Sequence, residues 1–277
     1  MLPMIPQSTA QVEPLSLIKH IQHNDDWRTQ VRKAYRSPAQ LLAALDFDAQ
    51  QILAMTAADQ GFSTLVPHAF VQKMAKQDTN DPLLLQVLPQ AAEAVAHPDF
   101  NTDPLQEASY NPQPGVVHKY KGRALLIAAG HCAINCRYCF RRHYPYNEQR
   151  RARSEWQQSL GYIESKPDIE EIILSGGDPL VLTDPQLFEL ISAIEAISHV
   201  KRLRIHSRLP IVLPARITHR FCERLASSRL DFVIVVHANH ANELGDDVAQ
   251  ACSLLRQHCV QLLNQSVLLA QVNDSLA

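Results

Sequence analysis

EIILSGGDPLVLTDPQLFELISAIEAISHVKRLRIH, residues 171–206, holds a strand, a glycine turn, a helix start and a second strand in one run. EIILS (171–175) and RLRIH (202–206) are short apolar runs bounded by turn residues, the pattern of strands in a covered parallel sheet. Between them, Asp184 followed by Pro185 predicts an N-cap and a first-turn proline opening the helix PQLFELISAI. Two more runs, FVIVV (232–236) and LLNQS (262–266), follow, so the starts at 171, 202, 232 and 262 lie 31, 30 and 30 residues apart. That interval is the length of a strand–helix–strand unit with short loops. Thr218 is placed to cap a helix carrying Phe221 and Leu225. The pattern predicts an α/β fold, a (β/α) barrel or partial barrel.

The first interval breaks the rhythm. ALLIA (124–128) begins 47 residues before EIILS, and the excess includes HCAINCRYCFRRHYPY (131–146). Functional loops of such barrels follow the C-terminal ends of the strands. Cys132, Cys136 and Cys139 therefore fall on the expected active face, spaced Cys-x3-Cys-x2-Cys. Three thiolates on a short loop can hold three corners of a [4Fe–4S] cluster and leave one iron open, and an open position distinguishes a catalytic metal site from a structural one. The same cysteines could also serve a zinc site completed by His131, His143 or a distant cysteine. Ser175, Gly176, Gly177 and Asp178 follow the next strand. Two of the chain's 8 glycines stand there. Such a pair lets backbone groups approach a ligand closely, and it also suits an ordinary strand-to-helix turn.

The 277 residues carry a formal charge of −2, which offers no basic field for nucleic acid or an anionic membrane. No stretch approaches the 18 or so uninterrupted apolar residues of a membrane span. MLPMIPQSTAQVEPLSLIKHIQ (1–22) lacks a basic segment followed by an apolar run, so a cytoplasmic location is expected, where clustered cysteines bind metal sooner than they pair. Residues 1–110 read as a helical N-terminal region with a connecting arm, and residues 111–277 as the barrel. Within the first part, SPAQLLAALDF (37–47), capped by Ser37, and PLLLQVLPQAAEAVA (82–96) are the expected helices, and the arm runs from His97 to Pro114. Cys252 and Cys259 share helical spacing with Val248 and Leu255, and with Cys222 they read as structural. His206, Arg208, His237 and Asn239 stand at strand C-terminal ends, where polar groups could face a ligand.

CAINCRYC resembles the CxxxCxxC signature of radical S-adenosylmethionine (SAM) enzymes, and SGGDPL resembles their glycine motif. In that family SAM takes the fourth iron position through its amino and carboxylate groups. HKYKGRALL, CRYCFRRHYPY, SGGDPL, RLRIHSRLPIVLPARIT and LLNQSVLLAQVND resemble, in order, segments of the lysine 2,3-aminomutases, most closely the branch that supplies β-lysine for elongation factor P. The resemblance implies a six-stranded partial barrel and conversion of L-lysine to (R)-β-lysine with a [4Fe–4S] cluster, SAM and pyridoxal phosphate (PLP). It also implies a flavodoxin-type reductant and a functional link to elongation factor P and its β-lysine ligase, and leaves a homo-oligomer open. Residue by residue, it gives Arg141 to the substrate carboxylate and Asp274 to the substrate ε-ammonium. Lys119, Tyr120 and Arg123 go to the PLP phosphate, and Ser175, Gly176, Gly177 and Asp178 to SAM. The family's PLP lysine has no match, because no lysine follows Lys201. With five strands found and an end eleven residues after LLNQS, the chain reads as a fragment or a shortened product of a longer enzyme. The rival readings are an aminomutase for another amino acid, a short paralogue holding cluster and SAM alone, an iron–sulfur electron carrier and a zinc module.

Overall fold

A computed structural model describes residues 26–56, 63–95, 98–99, 101–144 and 156–275. The 1–22 leader reading, His97, and the end of the HYPY stretch at Pro145 and Tyr146 lie outside them. One sheet of six strands stands in sequence order: β1 (Val116–Tyr120), β2 (Arg123–Ala129), β3 (Glu171–Gly176), β4 (Arg202–Ser207), β5 (Asp231–Val236) and β6 (Gln261–Asn264). From β2 to β6 every pairing is parallel, and these are the five strands expected from the sequence. The architecture is a partial (β/α) barrel. β1 was not expected. It pairs antiparallel with β2 through a tight hairpin in which Tyr120 faces Arg123 and Gly122 takes φ +81°, a conformation glycine adopts without steric cost.

The crossover helices bury one stripe each. In the helix Asp184–Glu195 that stripe is Leu187, Leu190, Ile191 and Ile194, spaced to fall on one face and pack on the sheet. Its cap lies one residue earlier than expected. Thr183 accepts from Gln186 N while Gln186 reaches back to Thr183 N, and Asp184 is already helical. Thr218 caps the helix His219–Ala226 as expected. The helix Asp246–Gln257 ends before Cys259, which is exposed with φ +60°. The expected apolar face therefore holds Val248 and Leu255, with Cys252 partly buried, but not Cys259.

Ser37 caps the helix Pro38–Ala44, accepting from Gln40 N. The longer helix expected over 82–96 is absent among the described residues. Pro89 interrupts it, leaving two 3₁₀ turns, Leu84–Gln86 and Ala91–Ala94. A single buried cluster joins the N-terminal residues Leu41, Leu42, Phe70 and Leu84 to the strand residues Leu126, Ile172, Leu203 and Ile234. The opposite faces of those strands alternate in register, carrying Ile173 and Arg204 in one layer and His206 and Val235 in the next. Among the described residues no helix is long and apolar enough to cross a membrane.

Candidate active site

The cysteine loop leaves the C-terminal end of β2 and is fastened at once to the glycine turn after β3. Gly177 N donates to the Ala129 carbonyl at 2.7 Å, and Asp178 N donates to the His131 carbonyl at 2.9 Å. Only glycine fits this crossing. A Cβ on Gly177 would lie 2.6 Å from His131 N, and one on Gly176, which has φ +111°, would lie 2.6 Å from the Ala129 oxygen. The paired glycines bring two backbones together, so the cysteine loop and the glycine turn form one rigid edge.

The N-terminal region holds the loop from the other side. Asn135 N donates to the Leu65 carbonyl, and Arg137 N to the Gln86 carbonyl at 2.8 Å. Glu93 pairs with Arg137 at 2.9 Å and with Arg142 at 2.5 Å. Ala133 and Ile134 anchor the loop in the core. The three cysteines are partly buried and close enough to act on one another electrostatically. Burial pushes the Cys132 thiol well up, and Asp178 and the charges of Cys136 and Cys139 add to that, against Arg141. Burial likewise raises Cys139, with Cys136 next. Three thiols crowded in a dry site resist ionising together, and a bound metal cluster reverses this by supplying positive charge. The donor set and the glycine cradle fit a [4Fe–4S] cluster with an amino-acid ligand beside it.

Ser175 is buried, and its hydroxyl accepts from Arg141 Nη1 at 2.8 Å. Arg141 therefore stands where the glycine turn meets the cysteine loop. Glu107 accepts from two more of its donors, Nε at 2.8 Å to Oε2 and Nη2 at 2.6 Å to Oε1, a two-pronged pair in which both side chains are buried. Glu107 comes from the 3₁₀ turn Glu107–Tyr110, within the segment read as a connecting arm. A cavity of about 480 Å³ lies between this arm and the loop, bordered by Asp103, Glu107, Phe140, Arg141 and Tyr144.

Asp178 does not border the cavity. Its carboxylate accepts from Ser207 Oγ at 2.7 Å, Arg208 N at 2.8 Å, Leu180 N at 3.0 Å and Leu209 N at 3.2 Å. Burial raises its pKa against the pull of these donors. It joins the turns after β3 and β4.

Sequence reasoning missed the polar cluster behind Cys136. Arg208, 4% exposed, donates from Nη1 to Cys136 Sγ at 2.8 Å and to Tyr138 Oη at 2.5 Å, and from Nη2 to Gln86 Oε1 at 2.7 Å. Glu243 faces Nη2 at 3.3 Å, and Asn239 donates to both Gln86 and Tyr138. Burial opposes the Arg208 charge, but Cys136, Tyr138 and Glu243 outweigh it and raise its pKa. Burial and the neighbouring Cys136 charge raise Tyr138. Of the four polar residues noted at strand ends, Arg208 and Asn239 thus meet the cysteine loop. The other two, His206 and His237, stack edge to face with ring centres 5.9 Å apart, and the buried Nε2 of each has no hydrogen-bond partner among the described residues. Burial pushes both imidazoles down to about 4.

The remaining expected contacts lie apart from the cysteines. Arg123 opens β2, six residues before Ala129, so about 20 Å of strand separates it from the loop. Lys119 donates to the Leu105 carbonyl at 3.0 Å and sits over the Tyr110 ring, and Tyr120 is 62% exposed. Asp274 is exposed and accepts from Gln271 N at 2.9 Å, closing a turn after β6.

The radical SAM superfamily pattern matches residues 126–255. Over 252 residues the chain is 49% identical to the L-lysine 2,3-aminomutase of Escherichia coli (strain K12), covering 91% of this chain and 73% of that protein. It is 46% identical to the Haemophilus influenzae protein of the same name, covering 92% and 75%, and 32% identical to that of Clostridium subterminale, covering 90% and 60%. Together with the cysteine loop and its glycine partner, these similarities show that the chain belongs to the lysine 2,3-aminomutase family of radical SAM isomerases, whose cofactors are a [4Fe–4S] cluster, SAM and PLP.

Proposed function

We propose that this protein converts L-lysine to (R)-β-lysine in the cytoplasm, with PLP, and supplies β-lysine for modification of elongation factor P. The observation that carries the catalytic part is the junction of Arg141 with Ser175, at the edge where Gly177 and Asp178 bond to the cysteine loop. Cys132, Cys136 and Cys139 would hold the cluster, and Ser175, Gly176 and Gly177 would present backbone and hydroxyl groups to SAM. Asp178 serves by keeping the turns after β3 and β4 in register. When bound, cluster and SAM supply a carbon radical able to take hydrogen from an unactivated position.

Arg141 is suited to a substrate carboxylate because its fork already holds one. Glu107 occupies the guanidinium as an α-carboxylate would, so substrate entry exchanges one carboxylate for another at the same donors. The cavity beside the pair gives the arm room to withdraw Glu107. For PLP, Lys119 and Arg123 supply exposed cationic groups suited to a phosphate. Asp274, exposed at the far end of the described chain, is the proposed contact for the ε-ammonium.

An anaerobic assay with lysine, SAM, PLP and dithionite tests this reading. β-Lysine formation that needs every component is the expected result. Deoxyadenosine release without β-lysine, whatever the PLP concentration, would remove the aminomutase reading and leave a SAM-cleaving protein with another substrate.

A further inference from the structure

Arg208 is buried beside Cys136, and several partners other than that sulfur hold it. Its Nη2 is held by Gln86 Oε1, with Glu243 Oε2 at 3.3 Å, and its backbone N is held by Asp178. The guanidinium lies between two rings, with Phe70 at 5.3 Å and Tyr138 at 5.4 Å from its centre. Gln86 and Glu243 are themselves tied together, Gln86 Nε2 donating to Glu243 Oε1 at 3.0 Å. Four chain segments meet here: the N-terminal 3₁₀ turn, the cysteine loop and the loops after β4 and β5. The fork is held by these partners, and its Nη1 donates to Cys136 Sγ at 2.8 Å and to Tyr138 Oη at 2.5 Å.

From this geometry we infer that Arg208 is a positioning residue which tunes the cluster by donating a charge-assisted hydrogen bond to the Cys136 sulfur. The inference rests on the cluster reading above. Adding an electron to a cubane places more negative charge on its sulfurs, and a donor fixed on one of them favours the reduced form. The cationic donor strengthens that preference, and its burial keeps water from screening it. Arg208 would thus raise the reduction potential and ease electron delivery to a cluster otherwise hard to reduce. Gln86 and Glu243 act through it by fixing the guanidinium.

The test is a redox titration of the anaerobically reconstituted 277-residue chain, followed by EPR without SAM, alongside iron and sulfide content. Wild type is compared with Arg208→Gln and Arg208→Lys. We expect Arg208→Gln to move the midpoint to more negative potential and alter the g-values at full iron content. Arg208→Lys, which keeps charge but loses the planar fork, should shift it less in the same direction. Unchanged midpoints and g-values in iron-replete variants would overturn the inference and leave Arg208 as packing. Loss of iron from both variants would also overturn it, by showing that Arg208 holds the loop together instead of tuning it. Wild type without a cubane signal is a different failure, one that removes the cluster reading itself and this inference with it.

Discussion

Glu107 and Arg141 form a buried ion pair whose members answer differently to substitution. Glu107→Ala removes the carboxylate that neutralises a buried guanidinium, so the protein should lose about 3 kcal/mol, read from the urea midpoint. Glu107→Gln keeps a hydrogen-bonding oxygen and removes the competing charge, and the KM for lysine should fall severalfold. A KM unchanged or raised, with stability retained, would mean that substrate does not compete with Glu107. The cysteines and glycines of this site were legible in the sequence because their chemistry is fixed by residue type and local spacing. Glu107, Gln86 and Glu243 were not. Each acts through a partner brought to it by folding, 34 residues away for Glu107 to Arg141 and 122 for Gln86 to Arg208. Gln86 even stood inside an apolar run that reads as core, and it is fully buried there. One signal was available: a lone amide within PLLLQVL needs partners if buried.

At the scale of elements, the parallel strands could be read because FVIVV is an unbroken apolar run buried on both faces, EIILS is nearly so, and the four runs from EIILS to LLNQS start at intervals the length of one crossover unit. β1 escaped because VVHKY is short and half exposed, with the burial pattern buried–buried–intermediate–exposed–exposed. The Lys121-Gly122 turn after it was the missing cue. The 82–96 run has helical periodicity, but Pro89 lacks the N–H an uninterrupted helix needs there, and two 3₁₀ turns form in its place. Gly177 carries the junction between two elements, so Gly177→Ala is the sharpest element-scale substitution. Its added carbon would lie 2.6 Å from His131 N, and since the obstacle is backbone the cysteine loop must move. Iron bound after reconstitution should drop by more than half and thermal stability should fall. Full iron loading in that variant would show that the crossing is not needed to shape the loop.

Across the whole molecule, two neutral histidines make stability depend on pH. His206 and His237 are pushed from near 6.5 to about 4, chiefly by burial, with Arg204 the next cause for His206 and His206 for His237. A folded pKa below the unfolded one means that the unfolded chain takes up protons first. Their contribution is therefore complete above pH 6.5 and is lost as pH falls toward 4, at most about 3 kcal/mol for each. Urea midpoints measured from pH 7 to 4.5 should decline, and should decline less in His237→Gln. Equal slopes in the two proteins would contradict the burial account. The edge strand β6 exposes Leu263 at 41%, and Leu268 just beyond it is 85% exposed. Exposed apolar side chains invite association between copies, so Leu268→Glu should reduce concentration-dependent light scattering, and no reduction would show that this surface does not self-associate. The barrel, the arm and the N-terminal turns together hold three cysteines beside a glycine turn. EPR of the reduced, anaerobically reconstituted protein, with and without SAM, tests that arrangement most directly. A cubane spectrum that changes when SAM is added is the predicted result, and a spectrum indifferent to SAM, or a preparation carrying zinc in place of iron and sulfide, would contradict it.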